Sequence, residues 1–229
     1  MNITTPALKF SLANGKLQKL AKRLGIPKAH VVAFNMPSGY TCPKADLCLS
    51  KADRETGKLT DGDKMEFRCF AASLEAIYPS LRKRVWENFE ATKLTGDLVA
   101  RLQEALPKKA KVVRIHASGD FYNKRYFEAF NQLAIDNPDV VFYAYSKILK
   151  FVGAERPSNF RMVYSIGGKD DKDFVGSGLP YSKVIYNESQ ACAEIDEDDY
   201  HAYMGVSSNL IIHGGQPREI NLKVKALKK

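Results

Sequence analysis

The sequence predicts an α/β fold: a partial (β/α) barrel or an open, mainly parallel sheet of about six strands with flanking helices. Three observations carry this. Residues 112–115, 124–135 and 140–145 alternate strand, helix, strand at the spacing of βα units. Further strand-like runs follow at 160–164, 183–186 and 210–212 with shorter connections, too few for a complete eight-stranded barrel. The chain has 229 residues, 45% of them hydrophobic, enough for one sizeable core without disulfides.

From the N-terminus, Leu17, Leu20 and Leu24 recur at helical spacing among lysines, and Gly25 with Pro27 closes that short basic helix. Val31-Val32-Ala33-Phe34 reads as the first strand, and Pro37, Gly39 and Pro43 keep the next loop irregular. Leu74, Ile77, Tyr78, Leu81, Val85 and Phe89 predict one buried helix face over residues 75–89, running through Pro79. Asp97 caps a helix carrying Leu98, Leu102 and Leu106, which stops at Pro107. In the 124–135 helix Phe127, Phe130 and Ala134 turn inward; Tyr143 and Tyr145 alternate with Phe142 and Ala144 as core packing. No low-complexity linker or repeat divides the chain. The reading is one domain over residues 31–217, between a basic arm and helix over 1–30 and a basic tail over 218–229.

Charge is concentrated at those ends. Residues 1–30 hold six basic residues and no acid, residues 218–229 hold five against Glu219, and the body carries a net −1 of the chain's +9. Such termini suit nucleic-acid contact through counterion release, or else remain solvated. No apolar run approaches a membrane span, and the first residues lack a secretory pattern, so the expectation is a soluble cytoplasmic protein without a membrane partner.

The loops after the carboxyl ends of parallel strands are where such folds place chemistry. Here they hold cysteines after the first strand, His116-Ala117-Ser118-Gly119-Asp120 after the second, and Ser146-Lys147 after the third. The sharpest local signal is Cys42, Cys48 and Cys69, with Cys192 far away. Clustered thiols in a reducing compartment point to metal or catalysis. A closed zinc site needs four ligands, and this set is one short. Three cysteines suit a 4Fe–4S cluster whose fourth position goes to Cys192, a histidine, a carboxylate or a small molecule. Zinc and metal-free cysteines are the alternatives.

These residues carry a resemblance. The stretches NMPSGYTCPKADLCLSKADRETGK, FRCFAASLEAIYP, VRIHASGDFYN and VVFYAYSK, with ID-E-DD-Y-HA and LIIHGGQP later, resemble the phage and plasmid proteins named after gene product 88. The resemblance runs roughly from Val31 to Pro217 and implies a virus-borne or plasmid-borne protein. A more distant likeness is to the radical S-adenosylmethionine enzymes. It implies cluster binding by Cys42, Cys48 and Cys69, and S-adenosylmethionine as a second cofactor. In that likeness Ser118-Gly119-Asp120 takes the turn that binds the cofactor's amino group, Asp120 accepting from the ammonium. The cysteine gaps here are five and twenty residues, wider than that superfamily's usual spacing.

His116 stands two positions after Arg114 on a strand, so both side chains are expected on one face. There it would ligate iron, move protons, or sit as a satisfied core histidine. Asp198, Asp199 and His201 read as an acidic surface turn, or else a hard metal site. The expected function is therefore an iron–sulfur protein, redox or radical-enzyme-like in activity, acting on a small molecule with His116 and Asp120 as its reactive groups. The alternative is a metal-stabilised nucleic-acid-binding or host-interaction protein without catalysis.

Overall fold

A computed structural model describes residues 7–94 and 96–227. The first six residues of the expected basic arm and the last two of the tail lie outside them. In chain order the elements are β1 (Phe10–Leu12), α1 (Gly15–Arg23), β2 (Val31–Phe34), β3 (Ser50–Ala52), β4 (Leu59–Asp61), α2 (Phe70–Ile77), α3 (Pro79–Lys93) and α4 (Leu98–Ala105). There follow β5 (Val112–Ile115), α5 (Lys124–Asp136), β6 (Val141–Ser146), α6 (Leu149–Val152), β7 (Phe160–Ser165), α7 (Asp171–Phe174), β8 (Tyr181–Ile185), α8 (Tyr200–Met204), β9 (Ser208–Ile211) and α9 (Arg218–Ala226).

Strands β2, β5, β6, β7, β8 and β9 lie side by side in that order, all parallel, with β1 antiparallel on the free edge of β2. Each new parallel strand is laid beside its predecessor, so the sheet winds in one direction. Its edges β1 and β9 do not pair among the described residues, which makes it the open α/β sheet the sequence predicts.

The period of two along each strand sorts side chains into two layers. Val32, Phe34, Val113, Ile115, Phe142, Ala144, Met162 and Tyr164 meet Leu102 of α4 and Phe127 and Phe130 of α5 in the main core. Val31, Ala33, Val112, Tyr143 and Val163 face the other way, against Leu17 and Leu20 of α1 and Ala202 of α8. Burial of Leu17 and Leu20 contributes about 2 kcal/mol each and docks α1 on this inner face. Helix starts follow the capping side chains: Leu17 N–H donates to Asn14 Oδ1 at 3.0 Å, Ala100 N–H to Asp97 Oδ1 at 3.0 Å, and Tyr126 N–H to Asn123 Oδ1 at 2.9 Å.

Two expectations are corrected here. The single helix through Pro79 is two helices, because Pro79 opens α3 at its first position, where a missing N–H costs nothing. Leu74, Ile77 and Tyr78 are consequently 47%, 62% and 54% exposed, outside the core. The basic ends are also not free arms within the described residues. Lys9 pairs with Glu87 at 3.2 Å, Lys16 with Asp199 at 2.7 Å, Lys19 with Glu197 at 3.8 Å and Arg23 with Asp198 at 3.4 Å. The acidic turn before α8 thus serves as a counter-charge for α1. At the other end, α9 buries Ile220, and Lys223 Nζ lies 4.4 Å from the centre of the Tyr186 ring.

Candidate functional site

The cysteines are assembled by backbone that doubles back on itself. Between Cys48 and Cys69 the chain makes the β3–β4 hairpin and returns, with Gly62 N–H donating to Leu49 O at 2.7 Å and Glu66 N–H to Leu47 O at 2.8 Å. Cys69 N–H then donates to Ser50 Oγ at 3.3 Å, and α2 starts at the next residue. The twenty-residue gap is folded away. Cys42, Cys48 and Cys69 all line one cavity of about 160 Å³ at the carboxyl ends of the parallel strands, with Ser118, Gly119, Asp120 and Lys147.

The cysteine loop is held on both sides. Towards β7, Leu47 N–H donates to Gly167 O at 3.1 Å, Lys169 N–H to Lys44 O at 2.9 Å, and Lys44 pairs with Asp170 at 2.7 Å. Towards β5, Met36 N–H donates to Ser118 O at 2.9 Å, while Asn35 Oδ1 accepts from Ala117 N–H at 2.9 Å. Gly119 sits at φ +87°, and a Cβ there would lie 2.6 Å from both Met36 Cβ and Thr41 Oγ1. Only glycine allows the two loops to approach this closely.

Electrostatically the pocket resists bare anions. Burial pushes the Cys42 thiol well above its ordinary range, reinforced by Asp120, Cys69 and Cys48. Burial and Cys48 push Cys69 to about 12. The three thiols and Asp120 line the same cavity, so each disfavours a negative charge on the others; a bound soft cation would offset that, since thiols bind metal as thiolates. Asp120 is itself raised to about 6 by burial, opposed by hydrogen bonds. Its Oδ1 accepts from Ser146 Oγ at 2.8 Å and Phe121 N–H at 2.7 Å, and its Oδ2 from Lys147 N–H at 2.9 Å. Lys147 Nζ donates to Ser165 O, Ser165 Oγ and Ile166 O at 3.0, 3.2 and 2.9 Å.

The donor atoms here are thiol sulfurs, soft ligands of the kind that zinc and iron–sulfur clusters both take. Among the described residues no three His, Cys, Asp or Glu side chains converge as ligands of a single ion. In an iron–sulfur cluster each thiolate binds its own iron, so its ligands surround a volume and need not close on a point.

His116 departs from the expected face. Its φ of +69° breaks the strand alternation, and its ring turns away from Arg114 into the aromatic core. Nε2 shares a 2.9 Å hydrogen bond with the Tyr126 hydroxyl, and the ring meets Phe121 edge-on at 4.6 Å. Burial, with Arg114 second, lowers its pKa to about 3, so it is neutral in the working range. Its Nδ1 is buried without a hydrogen-bond partner, and the residue lines the same cavity as the three cysteines. Cys192 does not line the cavity; it is exposed, with the Tyr181 hydroxyl donating to its Sγ at 3.4 Å. Asp199 and Asp198 are engaged by Arg114, Lys16 and Arg23, and His201 by Glu194 at 2.9 Å, so they form no hard metal site.

Sequence reasoning missed Glu75. It is fully buried on α2, and Oε1 accepts from Ser38 N–H at 3.0 Å and contacts Ser118 Oγ. Ser118 has one hydroxyl proton, and the Met36 carbonyl 2.7 Å away also claims it. A proton on Glu75 resolves the conflict, in keeping with burial raising its pKa. The available signal was its place beside Ala71 and Ala72, a small-residue stripe at helical spacing.

The profile of the family described as Gene product 88 matches residues 7–226. The chain belongs to the Gene product 88 family. Two curated relatives share its sequence at lower identity. The Gene 88 protein of Mycobacterium phage L5 is 26% identical over 160 residues, 64% of this chain and 57% of that protein. The Gene 88 protein of Mycobacterium phage D29 is 24% identical over 209 residues, 79% of this chain and 76% of that protein. This Gene product 88 chain therefore spans little more than half the length of the first relative. No solved structure matches it. Among the described residues no helix is long and apolar enough to cross a membrane.

Proposed function

We propose that this chain is an iron–sulfur protein in which Cys42, Cys48 and Cys69 hold a 4Fe–4S cluster, the fourth position being filled from outside the cysteine set, with redox or radical S-adenosylmethionine-like activity. The observation that carries it is the convergence of three cysteines, separated by a hairpin, on one cavity at the carboxyl ends of parallel strands. When bound, such a cluster supplies one-electron redox chemistry and a Lewis-acid iron.

The chain's own groups suit that use. Asp120 presents a carboxylate held by Ser146 and Lys147, ready to accept from a cationic amine. Gly119 brings that turn against the cysteine loop, and Glu75 with Ser118 locks the two loops together. The likeness to radical S-adenosylmethionine enzymes stands on strand order and on this turn. The comparisons support the phage family and add nothing to that likeness. Nucleic-acid binding through the termini is the weaker reading, since four of the six N-terminal cations are ion-paired.

Anaerobic purification with iron, sulfide and zinc quantitation tests the proposal. About four irons and four sulfides per chain, with a broad visible absorption, are expected. Cys42→Ser, Cys48→Ser and Cys69→Ser should each diminish both. Addition of S-adenosylmethionine should alter the reduced cluster's EPR signal in the wild type and less so in Asp120→Asn. One zinc without sulfide would overturn the proposal.

A further inference from the structure

A second cavity, of about 520 Å³, adjoins the cysteine cavity on the inner side of the sheet. Arg114, Ala117, Ser118, Phe70 and Ala71 line both, so the two spaces share a wall. Its lining carries three cations, Lys16, Arg84 and Arg114, and no aspartate or glutamate among the described residues. Behind that lining, Lys16 and Arg114 share the carboxylate of Asp199, while Arg84 has no acidic partner among the described residues. Arg114 Nε is buried with no hydrogen-bond partner, an unmet donor on the shared wall. Arg84 is exposed at the opposite side, reaching Ser11 Oγ at 3.4 Å. The rest of the lining is mainly apolar, and Leu12 and Leu74 stand exposed there.

Cations without acids on an otherwise apolar wall define a ligand class. We infer that this cavity binds a small anion carrying an apolar body, a carboxylate or a phosphate ester, beside the cysteine site. Its role as a substrate chamber rests on the iron–sulfur proposal; the binding itself rests on the cavity alone. His213 also lines this cavity, stacked on Phe70 with ring centres 3.9 Å apart, and burial with the cations Lys16 and Arg114 lowers its pKa.

Isothermal titration of the full chain with naphthoate, naphthyl phosphate and the uncharged naphthalene methanol tests this. At least one anion should bind about tenfold more tightly than the alcohol, weakening as salt rises. The stronger of the two anions identifies the headgroup. Arg84→Gln, an exposed change that leaves the fold intact, should remove most of that preference. Equal binding of all three compounds, binding of none, or an unaltered preference in Arg84→Gln would overturn the inference. Running the same titration on Cys42→Ser separates the two proposals: anion preference should persist there whatever the iron and sulfide content.

Discussion

Glu75 accepts a hydrogen bond from the Ser38 backbone N–H at 3.0 Å, joining the helix that follows the last clustered cysteine to the loop that precedes the first. Glu75→Ala would leave that N–H without a partner in a buried site, while the Ser118 hydroxyl keeps the Met36 carbonyl. An unmet buried group costs about 1–3 kcal/mol, so a loss of that size is expected in urea unfolding, with lower iron retention. Glu75→Gln keeps an oxygen for Ser38 and mimics the protonated acid. It should stay close to wild type, and a loss as large as that of alanine would refute the assignment.

Gly119→Ala should be poorly tolerated. Its Cβ would stand 2.6 Å from Met36 Cβ, at a φ that L residues rarely adopt. Left-handed strain of about 1–2 kcal/mol plus overpacking of similar size gives about 3 kcal/mol. The thermal midpoint reports it directly; an unshifted midpoint would mean that the two loops are not pressed together.

His116 makes stability depend on pH. Its folded pKa of about 3 lies below the unfolded value of about 6.5, so between these the unfolded chain binds a proton that the folded chain refuses. Its contribution is intact above about pH 6.5 and declines as pH falls towards 3, by about 2 kcal/mol at pH 5. Comparing wild type with His116→Gln at pH 7 and pH 5 isolates the effect. The difference should move in the variant's favour by that amount at the lower pH, and a pH-independent difference would count against a buried neutral ring.

Asp199 is enclosed by Lys16 and Arg114 and by the Tyr143 and Tyr145 hydroxyls at 3.1 and 3.2 Å. Removing one member of a buried ion cluster typically costs about 3–5 kcal/mol, because the partners remain charged. Asp199→Ala should lose that much in guanidinium unfolding. Asp199→Asn should lose less, since asparagine keeps hydrogen-bonding atoms and tolerates the φ of +64° found there. Equal losses would assign the effect to backbone strain or packing rather than to polar contacts.

Much of the frame is legible in the sequence, because apolar β-rich runs bounded by polar loops have few other uses. The six parallel strands fall within two residues of the expected positions, and Asp97 caps the helix assigned to it. What escapes is set by single residues with two meanings. Pro79 reads as tolerated inside a helix, yet it begins one. Leu74 and Ile77 have core chemistry and surface positions. His116 obeys the alternation rule until one left-handed φ reverses its side. The ion pairs of α1 join residues some 175 positions apart, as Arg23 and Asp198 are, and no local pattern encodes such a meeting. The cysteines are legible as a group; their common cavity is a consequence of the intervening hairpin.

That hairpin makes the separation of Cys48 and Cys69 along the chain an accident of route. The excursion leaves from and returns to the Leu47–Leu49 backbone, so its far end around Glu55 and Thr56 is a closed detour. Its tip is held separately, by Arg82 of α3 donating to Arg54 O at 2.9 Å and Glu55 O at 3.2 Å, so the start and finish of the journey are fixed by other bonds than its far end. A search that recognises sites by fixed intervals between ligands therefore passes over this kind of pocket, while one that asks which segments rejoin would find it.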